Sequence, residues 1–247
     1  MYTPRYRHQT DQRVPKRYLF RMTYYKNLQA FFTAGMEFAK DNPQGTPRYR
    51  ISFDSIVARR GTVHTVPSGA AVNAFVPFYF SPSTKMAFSI HRGNVPLRDP
   101  AGQDLGAANM DDVAFMVVDP DTLFQSGREC WFTDQACNSG IVPVYENDPL
   151  QLAHHVDWPL FDDTPTMAII PELGYNGVCQ FQHDRDAVPH QHRSKKRMAE
   201  FLVKDYLAMD ELAGIVLKSH RHHAEVATWM QQAGVTVPLL VKSGCFF

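Results

Sequence analysis

An α+β fold is predicted for this 247-residue chain, and three observations carry the prediction. Short apolar runs of strand character recur at irregular intervals, joined by connections too varied for a repeating βαβ unit. None is followed by the glycine-rich turn of a G-x-G-x-x-G dinucleotide fingerprint. Two runs, Val76-Pro77-Phe78-Tyr79-Phe80 and Ala199-Glu200-Phe201-Leu202-Val203, read as buried strands that carry chemistry.

In chain order, Tyr18 to Tyr24 alternates as a strand. Lys26 to Gly35 follows as a helix with Leu28, Phe31 and Phe32 on one face and Gly35 as its stop. Residues 41–47, rich in proline and glycine, form a loop. Ser52 to Arg60 reads as a helix capped by Ser52 or Asp54 and ended at Gly61. Ala74 to Phe80 is a strand, and Ser83 to His91 a helix with Ser83 and Thr84 as candidate N-caps. Val113 to Val118 is a buried strand running into Asp119-Pro120, and Trp131 to Thr133 a short one. Thr164 to His192 reads as a long, partly irregular loop. Lys196 to Val203 and Gly214 to Lys218 are strands, Ala224 to Ala233 a helix, and Val237 to Lys242 a last strand.

Composition narrows the function classes. Twenty-five basic and twenty-five acidic residues cancel, so any affinity for nucleic acid must come from local patches. One such patch precedes Tyr18, where Arg5, Arg7, Arg13, Lys16 and Arg17 interleave with tyrosines; residues 1–17 are therefore set apart as a basic N-terminal segment and 18–247 as one domain. The other is Arg193, Lys195, Lys196 and Arg197, placed just before Glu200 to steer a polyanion. Asp99, Asp104, Asp111, Asp112, Asp119 and Asp121 mark an outer face with no role in substrate binding. Four cysteines without a C-x-x-C pair point to free thiols in a reducing compartment. With no apolar run near the ~20 residues of a membrane span and no signal core, the cytoplasm is expected. His183, His190 and His192 and the run His220-Arg221-His222-His223 suggest solvated histidines rather than a metal centre, because no Asp or Cys completes a site.

Two residues stand out on physical grounds. Glu200 is a lone carboxylate in an apolar strand, and burying a charge costs several kcal/mol unless it is paired or used. Tyr79 lies in an aromatic strand that ends at a capped helix start, a platform for a flat ring beside an anionic group.

Those segments, with Phe20-Arg21-Met22-Thr23-Tyr24-Tyr25-Lys26-Asn27-Leu28, Ile56-Val57-Ala58-Arg59-Arg60, Val66-Pro67, Met86, Trp131-Phe132-Thr133-Asp134 and Asp157-Trp158, occur in an order that resembles the DarT-type ADP-ribosyltransferase toxins. The terminal Cys245-Phe246-Phe247 is similar to the family's closing aromatic strand. The resemblance implies an ADP-ribosyltransferase-like split mixed sheet, mostly antiparallel, with flanking helices. It implies NAD as co-substrate, no metal, transfer of ADP-ribose to guanine or thymine of single-stranded DNA, and a restraining antitoxin as partner. Glu200 and Arg60 take the catalytic positions, and Arg21, Thr23, Asn27, Leu28, Tyr79 and Met86 the cofactor contacts. Where the family carries His-x-Thr on its first strand this chain has Arg21-Met22-Thr23, which resembles the arginine-first transferases and hints at the guanine-modifying branch. RNA as the target, or a binding module on the same fold that has lost catalysis, stand as alternatives.

Overall fold

The computed structural model describes residues 16–138, 140–162, 166–177 and 192–247. The expectations for residues 1–15, Cys179, His183 and His190 therefore lie outside the described residues. The first half of the chain contains β1 (Leu19–Tyr24), α1 (Asn27–Ala34), β2 (Met36–Phe38), β3 (Arg50–Ile51), α2 (Asp54–Thr62), β4 (Phe75–Tyr79) and α3 (Lys85–His91). Next come β5 (Pro96–Arg98), β6 (Asp104–Ala107), β7 (Val113–Val118), α4 (Pro120–Gln125), β8 (Cys130–Thr133), β9 (Tyr145–Glu146) and α5 (Leu152–His155). The rest contributes β10 (Ala168–Ile170), β11 (Tyr175–Gly177), α6 (Arg193–Lys196), β12 (Glu200–Lys204) and β13 (Tyr206–Ala208). Then β14 (Leu212–Leu217), α7 (His223–Gln232) and β15 (Leu239–Val241) complete the order.

One mixed sheet organises these elements, in the order β15-β14-β7-β1-β4-β12-β8-β9. All its pairings are antiparallel except β14 with β15. Strand alternation sorts side chains between its faces. Leu19, Met116, Phe78, Phe201 and Val203 enter one core, which α1 and α7 cover with Leu28, Phe31, Val226 and Met230. Phe20, Phe115, Val117 and Val216 enter a second core with Ala87 and Ile90 of α3. Because β7 is buried on both faces, its sequence is apolar throughout instead of alternating.

The sheet is split at its centre. β1 pairs with β7 along six residues but meets β4 at one register position only, Phe20 opposite Tyr79. The two strands diverge from that point, and the gap between them becomes the cleft described below.

Several local expectations are corrected. The helix expected to stop at Gly61 runs on to Thr62, and neither Ser52 nor Asp54 caps it through its side chain. Gly61 serves close packing instead: a Cβ there would lie 2.7 Å from Asn73 Nδ2. For α3 the cap is Thr84, whose hydroxyl accepts from Ala87 N–H, and not Ser83. Residues 193–196 are a helical turn closed on the His192 carbonyl; the strand begins at Glu200, where β4 and β8 offer partners. The stretch expected to be loop holds the hairpin of β10 and β11. The chain closes with a 3-10 turn at Ser243–Cys245 rather than a strand, and Phe246 packs on Phe115 with ring centroids 4.9 Å apart. His222 is not solvated: it stacks on Tyr25 with centroids 3.6 Å apart and bonds Asp112 at 2.7 Å.

Asn73 donates Nδ2 to the Val57 carbonyl at 3.0 Å, which ties α2 to the 3-10 turn that leads into β4. Gly61→Ala should improve helix propensity yet displace that amide, for a net loss of about 1–2 kcal/mol in denaturant unfolding. A variant as stable as the parent would show that Asn73 does not hold the helix.

Candidate active site

Glu200 sits opposite Tyr79 in the β12–β4 ladder, so both side chains leave the sheet on one face, away from the first core. Its carboxylate is 1 % exposed and bound by two parallel bonds from Arg60, Nη1 to Oε1 and Nη2 to Oε2, each 2.7 Å. Cys137 N–H adds a third bond to Oε1 at 3.0 Å, and Thr133 Oγ1 accepts from Glu200 N–H at 2.9 Å. A carboxylate with a forked arginine and a backbone donor has the partners that a buried charge needs. Arg60 lines the cleft, while Glu200 lies behind it.

Burial and the adjacent Glu200 carboxylate push the Tyr79 hydroxyl above its ordinary range, so it stays a neutral phenol. Burial and the same carboxylate also push up the Cys137 thiol. Cys137 is therefore a packed thiol whose backbone, rather than sulfur, serves the site.

The cleft measures about 240 Å³ and is walled by β1, β4, α2 and the segment before β3. Of the residues given as cofactor contacts, Arg21, Thr23, Asn27, Tyr79 and Met86 line it. Asn27 donates Nδ2 to Thr23 Oγ1 at 3.1 Å and to the Tyr49 carbonyl at 2.9 Å, and accepts from Tyr49 N–H at 2.9 Å. One amide thereby clamps the 49–50 region over the first strand. Leu28 is a correction: its side chain is fully buried in the first core and lines no part of the cleft. One residue along a helix turns a side chain by about 100°, which carries Leu28 off the face that Asn27 presents to the cleft.

Arg21 bridges the split. Its Nη1 donates to the Pro77 carbonyl at 3.0 Å, and its Nε and Nη2 grip Glu37 at 3.0 and 2.5 Å. Arg48 also bonds Glu37. Burial would raise the Glu37 pKa, but the two guanidiniums outweigh it and bring it from 4.5 to about 2.

The second basic patch is not one exposed surface. Arg193 is 4 % exposed and Arg197 fully buried, with Arg197 Nη2 donating to Ser81 Oγ at 3.1 Å and the Ser83 carbonyl at 3.3 Å. Lys196 pairs with Asp157 at 2.6 Å, and Lys195 faces solvent. Their helical turn directs the first and last of the four inward, and Arg197 there holds the segment after β4. From the N-terminal group, Arg17 lies over the Trp158 ring at 4.0 Å, and Lys16 pairs with Asp119 at 3.2 Å. Among the described residues no cluster of three His, Cys, Asp or Glu side chains could hold a metal ion, and no helix is long and apolar enough to cross a membrane.

Glu37, Arg48, Tyr49 and the Cys137 N–H were not foreseen. Glu37 carried the same signal as Glu200, a lone acid within Met36-Glu37-Phe38-Ala39. The others reach the site through pairings distant in sequence and have no local signature.

An NAD-splitting site need not rest on a Rossmann fold; the ADP-ribosyltransferases build theirs on a split sheet, and the present fold and cleft place the chain in that class. The family described as "ssDNA thymidine ADP-ribosyltransferase, DarT" matches residues 20–247, and the chain belongs to it. As a member it is a DNA ADP-ribosyltransferase that takes NAD+ as co-substrate. A "DNA ADP-ribosyl transferase" of Escherichia coli O127:H6 (strain E2348/69 / EPEC) is 21 % identical over 236 residues, 94 % of either chain. The fold matches that of Thermus sp. 2.9 DarT in complex with ADP-ribosylated ssDNA, with TM-score 0.74, 18 % identity and 94 and 97 % of the two chains covered. It also matches Thermosipho africanus DarTG in complex with ADP-ribose, with TM-score 0.62 and 14 % identity, over 94 % of this chain and 51 % of that one.

Two outcomes follow from the ion pairs. Glu200→Ala leaves a guanidinium without its partner and should destabilise by about 3–5 kcal/mol, as should Arg60→Ala, while the double variant loses less than their sum. Strict additivity in denaturant unfolding would show that the pair is not coupled. Because Glu37 has a depressed pKa in the fold, its stabilisation is fully present above about pH 4.5 and is lost as pH falls through about 2. Glu37→Gln should flatten that acid limb; an unchanged limb would place the acid sensitivity elsewhere.

Proposed function

We propose that this chain transfers ADP-ribose from NAD+ to a base of single-stranded DNA at the Glu200–Arg60 pair, as the toxin of a toxin–antitoxin system. The observation that carries this reading is the forked pair itself, 2.7 Å on both arms, whose Arg60 lines a cleft that offers an aromatic ring and cations. Cleavage of the nicotinamide–ribose bond sends its electrons to the departing nicotinamide and leaves an oxocarbenium-like sugar, as in glycoside hydrolysis. The incoming base nitrogen then bonds to the same carbon and gives up one proton. Glu200 supplies negative charge near the developing cation, and Arg60, held flat by it, presents its outer edge to the reacting groups. Tyr79 offers its ring face to nicotinamide, and Thr23, Asn27 and Met86 shape the pocket around the sugar. Lys195 is the exposed cation of its group and contacts a DNA phosphate. Likeness to Thermosipho africanus DarTG, a chain about twice as long as the part matched, supports an antitoxin as the partner. The place of action is where the DNA is, in the cytoplasm.

Guanine is the proposed base, because Arg21 stands where many members of the family carry the histidine of His-x-Thr, a departure that hints at the guanine-modifying branch. Labelled NAD+ offered with single-stranded oligonucleotides containing only guanine or only thymine as the variable base should label the first. Label on thymine alone would overturn the assignment, and label on RNA alone would move the substrate class.

Glu200→Gln keeps the shape of the site and removes its charge. Turnover should fall ~10²–10⁴-fold with NAD+ binding little changed, the span expected of a positioned acid–base or electrostatic group. Near-parent turnover in a folded Glu200→Gln protein would end the catalytic assignment. Lys195→Ala should lower DNA affinity and reduce the slope of log affinity against log salt by about one. An unchanged slope would remove Lys195 from the DNA path.

A further inference from the structure

Glu37 is absent from the transfer chemistry above, yet it is the most heavily engaged acid beside Glu200. It is 10 % exposed and holds two guanidiniums, those of Arg21, 13 % exposed, and Arg48, 26 % exposed. Two cations on one anion leave a net positive charge. Lys40 and Arg50 line the same wall, and behind that wall lies a second cavity of about 360 Å³, also bordered by Glu37 and Arg48. Arg50 is 3.5 Å from Asp54, but both are exposed, so solvent weakens that pairing. The Glu200 carboxylate already neutralises Arg60. The excess charge of the cleft is therefore concentrated on the Arg21–Arg48 side, away from the catalytic pair.

NAD+ carries its two negative charges on one diphosphate, and planar guanidiniums are suited to phosphate oxygens. Arg21 is already a cofactor contact by resemblance; we propose that Arg48 joins it on the diphosphate of NAD+, with Glu37 as the positioning residue that holds both guanidiniums in the cleft wall. The assignment rests on NAD+ as the co-substrate. Without the carboxylate, two like charges would sit side by side in a half-dry wall, and Arg48, carried on the segment between β2 and β3, would turn toward solvent. Arg21 cannot turn away as readily, since Pro77 also holds it. Arg48 uses a single nitrogen on Glu37 among the described residues, which leaves the rest of its fork for phosphate. Glu37 thus holds Arg21 and Arg48 as Glu200 holds Arg60, by a carboxylate that fixes the direction of a guanidinium.

The test separates the diphosphate from the rest of the nucleotide. ADP-ribose keeps the diphosphate and nicotinamide lacks it, so ADP-ribose is measured by calorimetry and nicotinamide by product inhibition. Arg48→Ala should weaken ADP-ribose binding by about tenfold or more, the usual value of a bond between charged groups, and leave the nicotinamide inhibition constant unchanged. Glu37→Gln should raise KM for NAD+ by a similar factor with kcat within about twofold, and Glu37→Asp should restore part of it. Glu37→Gln/Arg48→Ala should bind ADP-ribose about as Arg48→Ala does, because both changes remove one unit. Unchanged ADP-ribose affinity in folded Arg48→Ala overturns the proposal, and that variant decides the matter if Glu37→Gln does not fold. An equal loss for nicotinamide would also overturn it, by reducing Glu37 to a structural acid. A parent protein that binds neither NAD+ nor ADP-ribose would instead bring down the co-substrate reading itself.

Discussion

The forked bond between Glu200 and Arg60 is the interaction on which the rest of the site depends. A carboxylate at 1 % exposure is tolerable only with its charge answered. Three separate pieces of chain meet that requirement: α2 brings Arg60, the segment after β8 brings the Cys137 N–H, and Thr133 fixes the Glu200 backbone. The register of β12 between β4 and β8 then decides which face the acid points to. A slip of one residue would send Glu200 into the apolar core and Phe201 into the cleft. Core packing of Phe201 and Val203 therefore enforces the chemistry on the other face.

The second constraint is the split between β1 and β4. A sheet that parts must leave backbone groups without ladder partners, and here Pro77 limits the deficit because proline has no N–H to satisfy. Its carbonyl takes Arg21 Nη1 in place of a strand partner. Arg21 thus closes the polar account of the gap, and Glu37 answers the charge that Arg21 introduces. The same two groups that make the opening tolerable also make its wall cationic.

Much of the fold was legible because its signals are local. The aromatic strand, the buried β7, the Gly35 stop with its φ of 72° and the helix α7 all announce themselves within a few residues. Short strands such as β2, β3, β5 and β6 were missed, since two to four residues give no measurable period. Glu200 was readable from its apolar setting, and Arg60 was placed by resemblance. Misreading Arg193 and Arg197 as surface cations had a definite cause. A run of four basic residues carries no information about which side of a single helical turn faces inward, and the Ser81 and Ser83 groups that hold Arg197 lie over a hundred positions away.

The attachment of α2 links these points. None of its residues is buried, so it is held mainly by polar contacts: Arg60 on Glu200, Asn73 on the Val57 carbonyl, and Asp54 with Arg50 and Arg98. A helix anchored in this way takes its position from the charge it delivers, rather than delivering a charge from a position fixed by packing. The cost of displacing α2 is then largely the cost of parting a buried ion pair, several kcal/mol when one member is left bare. Docking of the helix and orientation of the reactive pair are in this protein a single event. A change that loosens α2, even at Gly61, must be felt at Glu200.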